Sequence, residues 1–192
     1  MILENIFPTP IWQDQLNCDL YLIKQYILSE KKRSEGRKLS NVNGWQSDDY
    51  YPNVLMDTPI CQFITILEKK LKLCFQDYGV STSPVISNLW FNVNTAGSYN
   101  LSHVHTSCFL SGVFYIFAKD NSGDIVFERD ASSQYILGSH ARDSTNFIST
   151  THWKYKPKPN MLLIFPAWVP HSVEINKSQE DRISISFNIL QS

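Results

Sequence analysis

Two histidines one residue apart, His103 and His105, followed later by Pro170-His171 and Arg182-Ile183-Ser184, are the residues of this chain best suited to chemistry. On an extended strand side chains alternate between faces, so positions i and i+2 point the same way and His103 and His105 can reach one metal ion. The third ligand expected is His171, which follows the apolar run from Met161 to Pro166 and precedes the strand-like stretch from Arg182 to Ile189. That placement sets it at the mouth of a β-barrel or sandwich. Three protein ligands on one side of a six-coordinate metal leave three positions open, which suits Fe(II) with a chelating cosubstrate and dioxygen. Three histidines equally suit a four-coordinate zinc with a bound water, but no general base for a zinc hydrolase is found near these motifs. Arg182, eleven positions after His171, favours iron. With Ser184 on the same strand face it offers a planar guanidinium fork and a hydroxyl to a carboxylate, an anchor for a dicarboxylate cosubstrate.

These residues need a scaffold, and the patterning supplies one. Leu20, Ile23, Ile27 and Leu28 form a helical stripe over Asp19 to Glu30, with an N-cap at Asn17 or Asp19. Ile60, Phe63, Ile64, Leu67, Leu71 and Cys74 make a stronger stripe over Ile60 to Phe75 and are read as core packing. The segment between them, Glu35 to Tyr51, reads as an ordered loop. From Pro84 onward short strands are expected at Ile86–Val93, Leu110–Phe117, Asp124–Phe127, Met161–Phe165 and Arg182–Ile189. They are separated by turn signals at Thr95-Ala-Gly97, Asp120-Asn-Ser-Gly123 and Lys156-Pro-Lys-Pro159. Several short strands after two helices predict an α+β fold whose β part is a double-sheet jelly roll, a cupin-like double-stranded β-helix with N-terminal flanking helices. Residues 1–83 are expected to form a helical cap and supporting segment, and residues 84–192 the jelly-roll core of one domain.

Composition narrows the function classes. A chain of 192 residues, 43% hydrophobic and 13% aromatic, can bury one full core. A net charge of −1 gives no electrostatic basis for binding nucleic acid or an anionic membrane. The short basic run Lys31-Lys32-Arg33 reads as a solvated helix end. Cys18, Cys61, Cys74 and Cys108 show no CxxC spacing, so a reducing, cytoplasmic setting is expected. The opening MILENIFPTPIW has no basic leader, and no run approaches the roughly 20 apolar residues of a membrane span.

Taken in order, Gly97, His103-Val-His105, Leu110-Ser-Gly-Val-Phe-Tyr-Ile116, Gly123-Asp-Ile-Val-Phe127, Phe165-Pro-Ala-Trp-Val-Pro-His171 and Arg182-Ile-Ser-Ile-Ser-Phe-Asn188 carry a resemblance. The chain resembles the 2-oxoglutarate and Fe(II)-dependent oxygenase superfamily, and within it the group of small oxygenases of bacteria and their phages. Ile6-Phe-Pro-Thr-Pro-Ile-Trp12, Ser40-Asn41 and Gly44-Trp45-Gln46-Ser47 are similar to that group as well, so the likeness spans nearly the whole chain.

The resemblance implies that His103 and His171 are metal ligands, while His105 stands where the usual pattern has Asp or Glu. It implies that Arg182 and Ser184 bind the distal carboxylate of 2-oxoglutarate, and that the strand Trp90-Phe-Asn-Val-Asn94 contributes a polar contact. Asn92, and Tyr115 across the sheet, are the further contacts expected; the alternative for both is a hydrogen-bonded polar group of the core. The implied reaction hydroxylates an unactivated C–H bond of a protein side chain or small metabolite and releases succinate and CO2. Expected partners are 2-oxoglutarate, dioxygen and a substrate, with a homodimer left open. An imidazole in place of a carboxylate raises the charge of the metal site by one. Three-histidine iron sites occur in cupin thiol dioxygenases, which use no oxoglutarate, and a non-catalytic cupin module binding metal or carboxylate is the reading from another class. The long segment Asp130 to Lys158, with Tyr135, His140, Arg142, His152 and Trp153, reads as a substrate lid. Trp45, Trp90 and Trp168 are candidates to line a pocket, or to fill the core.

Overall fold

The computed structural model describes residues 1–132, 134 and 146–192. The chain opens with β1 (Trp12–Gln15) and α1 (Leu20–Arg33), then two short strands, β2 (Asn41–Val42) and β3 (Trp45–Gln46), a 3₁₀ turn at Pro52–Leu55, and α2 (Cys61–Asp77). The remaining strands are β4 (Pro84–Asn94), β5 (Tyr99–His103), β6 (Leu110–Phe117), β7 (Ile125–Glu128), β8 (His152–Tyr155), β9 (Met161–Pro166), β10 (His171–Val173) and β11 (Arg182–Gln191). Two antiparallel sheets result, a six-stranded sheet ordered β1-β9-β6-β11-β4-β3 and a five-stranded sheet ordered β2-β5-β10-β7-β8. From β4 onward, consecutive strands alternate between the sheets except for the paired β7 and β8, so the two faces of a jelly roll oppose each other across one interior. The fold is the expected double-stranded β-helix with N-terminal helices.

Both helices lie where their stripes require. Asp19 caps α1, its carboxylate accepting the Leu22 N–H at 3.1 Å, and Ile23 and Ile27 are buried below it. Lys31, Lys32 and Arg33 fill the last turn of α1, where their charge favours the helix C-terminus. All six stripe residues of α2 and its flank are buried, and Phe63 stacks on Phe114 of β6 at 4.7 Å between ring centroids. The helices therefore cover the outer face of the six-stranded sheet, where Leu89, Phe91, Val93, Phe114, Ile183, Ile185, Phe187 and Ile189 meet them. Because strand side chains alternate, that apolar parity forces the other parity inward. Inward on β11 come Arg182, Ser184, Ser186 and Asn188, on β4 Asn88, Trp90, Asn92 and Asn94, and on β6 Ser111, Val113 and Tyr115.

Not every strand was foreseen. β1, β2 and β3 place the first third of the chain within the sheets as well as above them. β8 lies inside the segment read as an insertion, and its residues His152, Trp153 and Lys154 are exposed because β8 is an edge strand paired only with β7. Tyr135, His140 and Arg142 lie outside the described residues.

Candidate functional site

β5 and β10 pair antiparallel with His171 opposite His103, which sets two imidazoles side by side on the inner face of the five-stranded sheet. β5 stops at His103, so His105 stands in the turn that follows rather than on the same strand. It converges all the same, because its backbone N–H donates to Ala167 O at 2.9 Å and ties that turn to the segment leading into β10. One ring nitrogen from each of His103, His105 and His171 falls within 4.8 Å of the others. His105 Nε2 is 3.4 Å from His171 Nε2.

Two of the rings have their tautomers fixed by the backbone. His103 Nδ1 lies 2.8 Å from Leu101 O and His171 Nδ1 lies 3.0 Å from Val169 O. A carbonyl only accepts, so each Nδ1 carries the proton and each Nε2 presents a lone pair. Burial keeps the cluster neutral. It lowers the His103 pKa, and with the neighbouring His103 it brings His105 to about 4 and His171 to about 3. Neutral, convergent imidazoles, two of them backed by carbonyls, are a donor set that fits a divalent first-row ion.

Facing the cluster is a cavity of about 480 Å³. Arg182 opens into it from the start of β11, opposite Asn94 of β4, and is 2% exposed. Its Nη1 donates to Ser122 O at 2.7 Å and Gly123 O at 3.1 Å, which orients the guanidinium without neutralising it. No carboxylate among the described residues forms a contact ion pair with it; Asp124 acts on it only at longer range. Gly123 makes this seat feasible: its φ is +90°, and a Cβ there would strike Glu174 O and crowd Arg182 Nη1 at 2.9 Å. Ser184, one alternation along, is buried with its register partners Tyr115 and Asn92, and all three line the cavity. Burial pushes the Tyr115 phenol up to about 12, so it stays a neutral hydroxyl beside Arg182. Asn92 Nδ2 donates to Ser186 Oγ at 3.0 Å, which ties it into the sheet.

The seven residues singled out in the sequence thus meet in one cavity. Trp90 joins them, its ring 5.7 Å from that of His105. The other two tryptophans do not: Trp45 is buried with its Nε1 donating to Ser34 O, and Trp168 is 57% exposed outside the cavity. His152 is likewise remote, on the exposed edge strand. Missed by the sequence reading were Asn88, Ser186 and Asn188 on the cavity wall, and Arg37 and Asp49 at its mouth. The polar parity of Arg182, Ser184, Ser186 and Asn188, carried past Ser184, is the signal that finds the wall residues.

The comparisons with known proteins fit this fold. A family model described as "Putative 2OG-Fe(II) oxygenase" matches residues 88–188, more than half of the chain. The chain belongs to that family, whose metal is Fe(II) and whose cosubstrate is 2-oxoglutarate. No curated protein matches the chain in sequence. A Pseudomonas putida prolyl-4-hydroxylase structure is 12% identical with a TM-score of 0.65, covering 96% of this chain and 94% of that one. A prolyl hydroxylase from Trichoplax adhaerens, in complex with a peptide fragment of the hypoxia inducible factor oxygen degradation domain, is 13% identical with a TM-score of 0.65. That match covers 94% of this chain and 83% of the other. A 2OG-Fe(II) oxygenase family oxidoreductase from Burkholderia pseudomallei is 12% identical with a TM-score of 0.50, over 72% of this chain; the chain spans 55% of that protein's length. At such identities these likenesses establish the shared jelly roll. Among the described residues no helix is long and apolar enough to cross a membrane.

Proposed function

We propose that this protein is an Fe(II)- and 2-oxoglutarate-dependent hydroxylase in which His103, His105 and His171 hold the metal and Arg182 anchors the cosubstrate. The observation that carries this reading is a buried guanidinium, unpaired with any carboxylate, that shares a cavity with three convergent neutral imidazoles. A buried charge without a contact counter-ion is costly, so the site favours an anion in the cavity. A dicarboxylate long enough to chelate at the histidines and reach Arg182 answers that need. When bound, iron and 2-oxoglutarate supply the oxidising chemistry, consuming dioxygen and releasing succinate and CO2 as a C–H bond becomes an alcohol.

The chain's own residues supply position and dryness. Arg182 and the Ser184 hydroxyl hold the distal carboxylate, while Tyr115, kept protonated, donates to the same end. Asn92 borders that pocket with its amide held by Ser186. Leu101 O and Val169 O keep His103 and His171 in the ligating tautomer. Val173, Ile125 and Phe165 line the inner cavity with apolar surface and limit water. We further infer a cytoplasmic location, supported by four free cysteines. The test is succinate release by anaerobically purified, Fe(II)-loaded protein. Wild type should turn over 2-oxoglutarate, and Arg182→Ala should lose about 30-fold or more in cosubstrate affinity. No turnover together with no 2-oxoglutarate binding would leave a three-histidine dioxygenase or a binding module instead.

A further inference from the structure

Along the cavity wall, the carboxamides midway, Asn92 and Asn94, are bonded to neighbours, and those at the end far from Arg182 are not. Asn92 is bonded to Ser186, and Asn94 Nδ2 lies 3.4 Å from Asn100 Oδ1. Three alternations from Arg182, about 20 Å along β11, stands Asn188, with Asn88 of β4 and Ser111 of β6 as its register partners. Asn188 Oδ1 is buried and accepts no hydrogen bond. The Asn88 side chain makes none either among the described residues. Ser111 spends its proton on Phe187 O.

The position of this pair relative to the histidines gives it meaning. His105 packs against Trp90, and Trp90 is in register with Ser186, one alternation before Asn188. The two free amides therefore lie about 7 Å beyond the histidine level, on the side away from Arg182. That is where a substrate would approach, with the cosubstrate filling the Arg182 side. The charges at this end are already spoken for. Arg37 and Asp49, the charged residues of the cavity mouth, form a two-pronged ion pair, with Nη1 to Oδ2 at 3.0 Å and Nη2 to Oδ1 at 2.6 Å.

We propose that Asn88 and Asn188 form a substrate subsite that recognises an uncharged amide, such as a peptide group or carboxamide, next to the oxidised carbon. This assignment rests on the function proposed above and names its substrate class. An amide carries one donor face and one acceptor face, which is what two unpartnered carboxamides complement. A carboxylate would meet no free cation there, and an ammonium no free anion, so both are disfavoured by desolvation. A site that includes a buried hydrogen-bonding atom, here Asn188 Oδ1, disfavours ligands that leave it unpaired.

The test uses zinc-loaded full-length protein saturated with 2-oxoglutarate, with propionamide and propionate as probes. Side-chain NH2 resonances of Asn88 and Asn188 are followed by nitrogen-edited NMR. Saturable shifts of both are expected with propionamide, and binding about tenfold weaker with propionate. Asn188→Leu should weaken the amide about tenfold while leaving 2-oxoglutarate affinity, read by calorimetry, unchanged. Asn188→Asp keeps the shape and serves if the leucine variant fails to fold; it should also lose the amide preference. The inference is overturned by absent shifts at the two amides, by equal binding of both probes, or by wild-type amide affinity in the folded variant. Loss of 2-oxoglutarate binding by the wild type would instead overturn the function proposed above, a separate readout.

Discussion

The two sheets of this jelly roll are unequal partners. The six-stranded sheet is backed by both helices, and its outer face joins them in one large core cluster built around Phe63, Phe91, Phe114 and Phe187. Neither α1 nor α2 backs the five-stranded sheet, and the cluster between the sheets is smaller, with Ile125, Phe127, Phe165 and Val169 among its members. The large sheet carries the proposed carboxylate anchor on strands fixed on both sides; the small sheet carries the three histidines at the ends of two short strands, β5 and β10, and in the turn after β5. On the function proposed above, stability and cosubstrate anchoring sit on one wall and the metal ligands on the other. Substitution of the metal ligands therefore need not unfold the protein.

Several measurements would break or sharpen that contrast. Phe187→Ala, at the centre of the large cluster, should cost about 3–5 kcal/mol in denaturant unfolding. On the small sheet, Val173→Ala removes two partly buried carbons and should cost about 1 kcal/mol. Similar losses for the two would mean that the sheets share the load. Acid should act on the small sheet through its histidines. In the metal-free protein His105 and His171 titrate near 4 and 3, below the ordinary value of 6.5, so the unfolded chain binds more protons across that window. Melting temperature should therefore hold above about pH 6.5 and fall as pH drops towards 4, and His171→Asn should flatten part of that fall. A metal-free melting curve independent of pH between these limits would contradict the burial of the cluster. The smallest effect belongs to the exposed Lys154–Glu174 ion pair at the rim of the small sheet, where Lys154→Ala should cost under about 1 kcal/mol and less in high salt.

The same asymmetry decides what could be read from the sequence. β6, β9 and β11 are flanked by core on one or both faces, so their apolar content is dense and their positions were legible within one or two residues. Both helices announced themselves by their stripes, because one face of each packs on a sheet. β5, β8 and β10 gave no comparable signal. β5 and β10 turn polar residues inward to build a site, β8 is a solvent-facing edge, and none exceeds five residues. The histidines were visible because imidazoles two apart are rare without a shared purpose, yet strand alternation was not what joins them: His105 converges through a turn bonded to Ala167. The unpaired state of Arg182 could not be read at all, since it depends on which carbonyls the Asp120–Gly123 turn delivers to it.

The central claim is that one wall holds the metal and the other holds the cosubstrate. The direct test is a paired titration of Fe(II), then 2-oxoglutarate, into wild type, His171→Ala and Arg182→Ala under anaerobic conditions. The division predicts that Arg182→Ala keeps one tightly bound iron and loses 2-oxoglutarate affinity, whereas His171→Ala stays folded and loses the iron. Unchanged 2-oxoglutarate affinity in Arg182→Ala, or stoichiometric iron in His171→Ala, would contradict it.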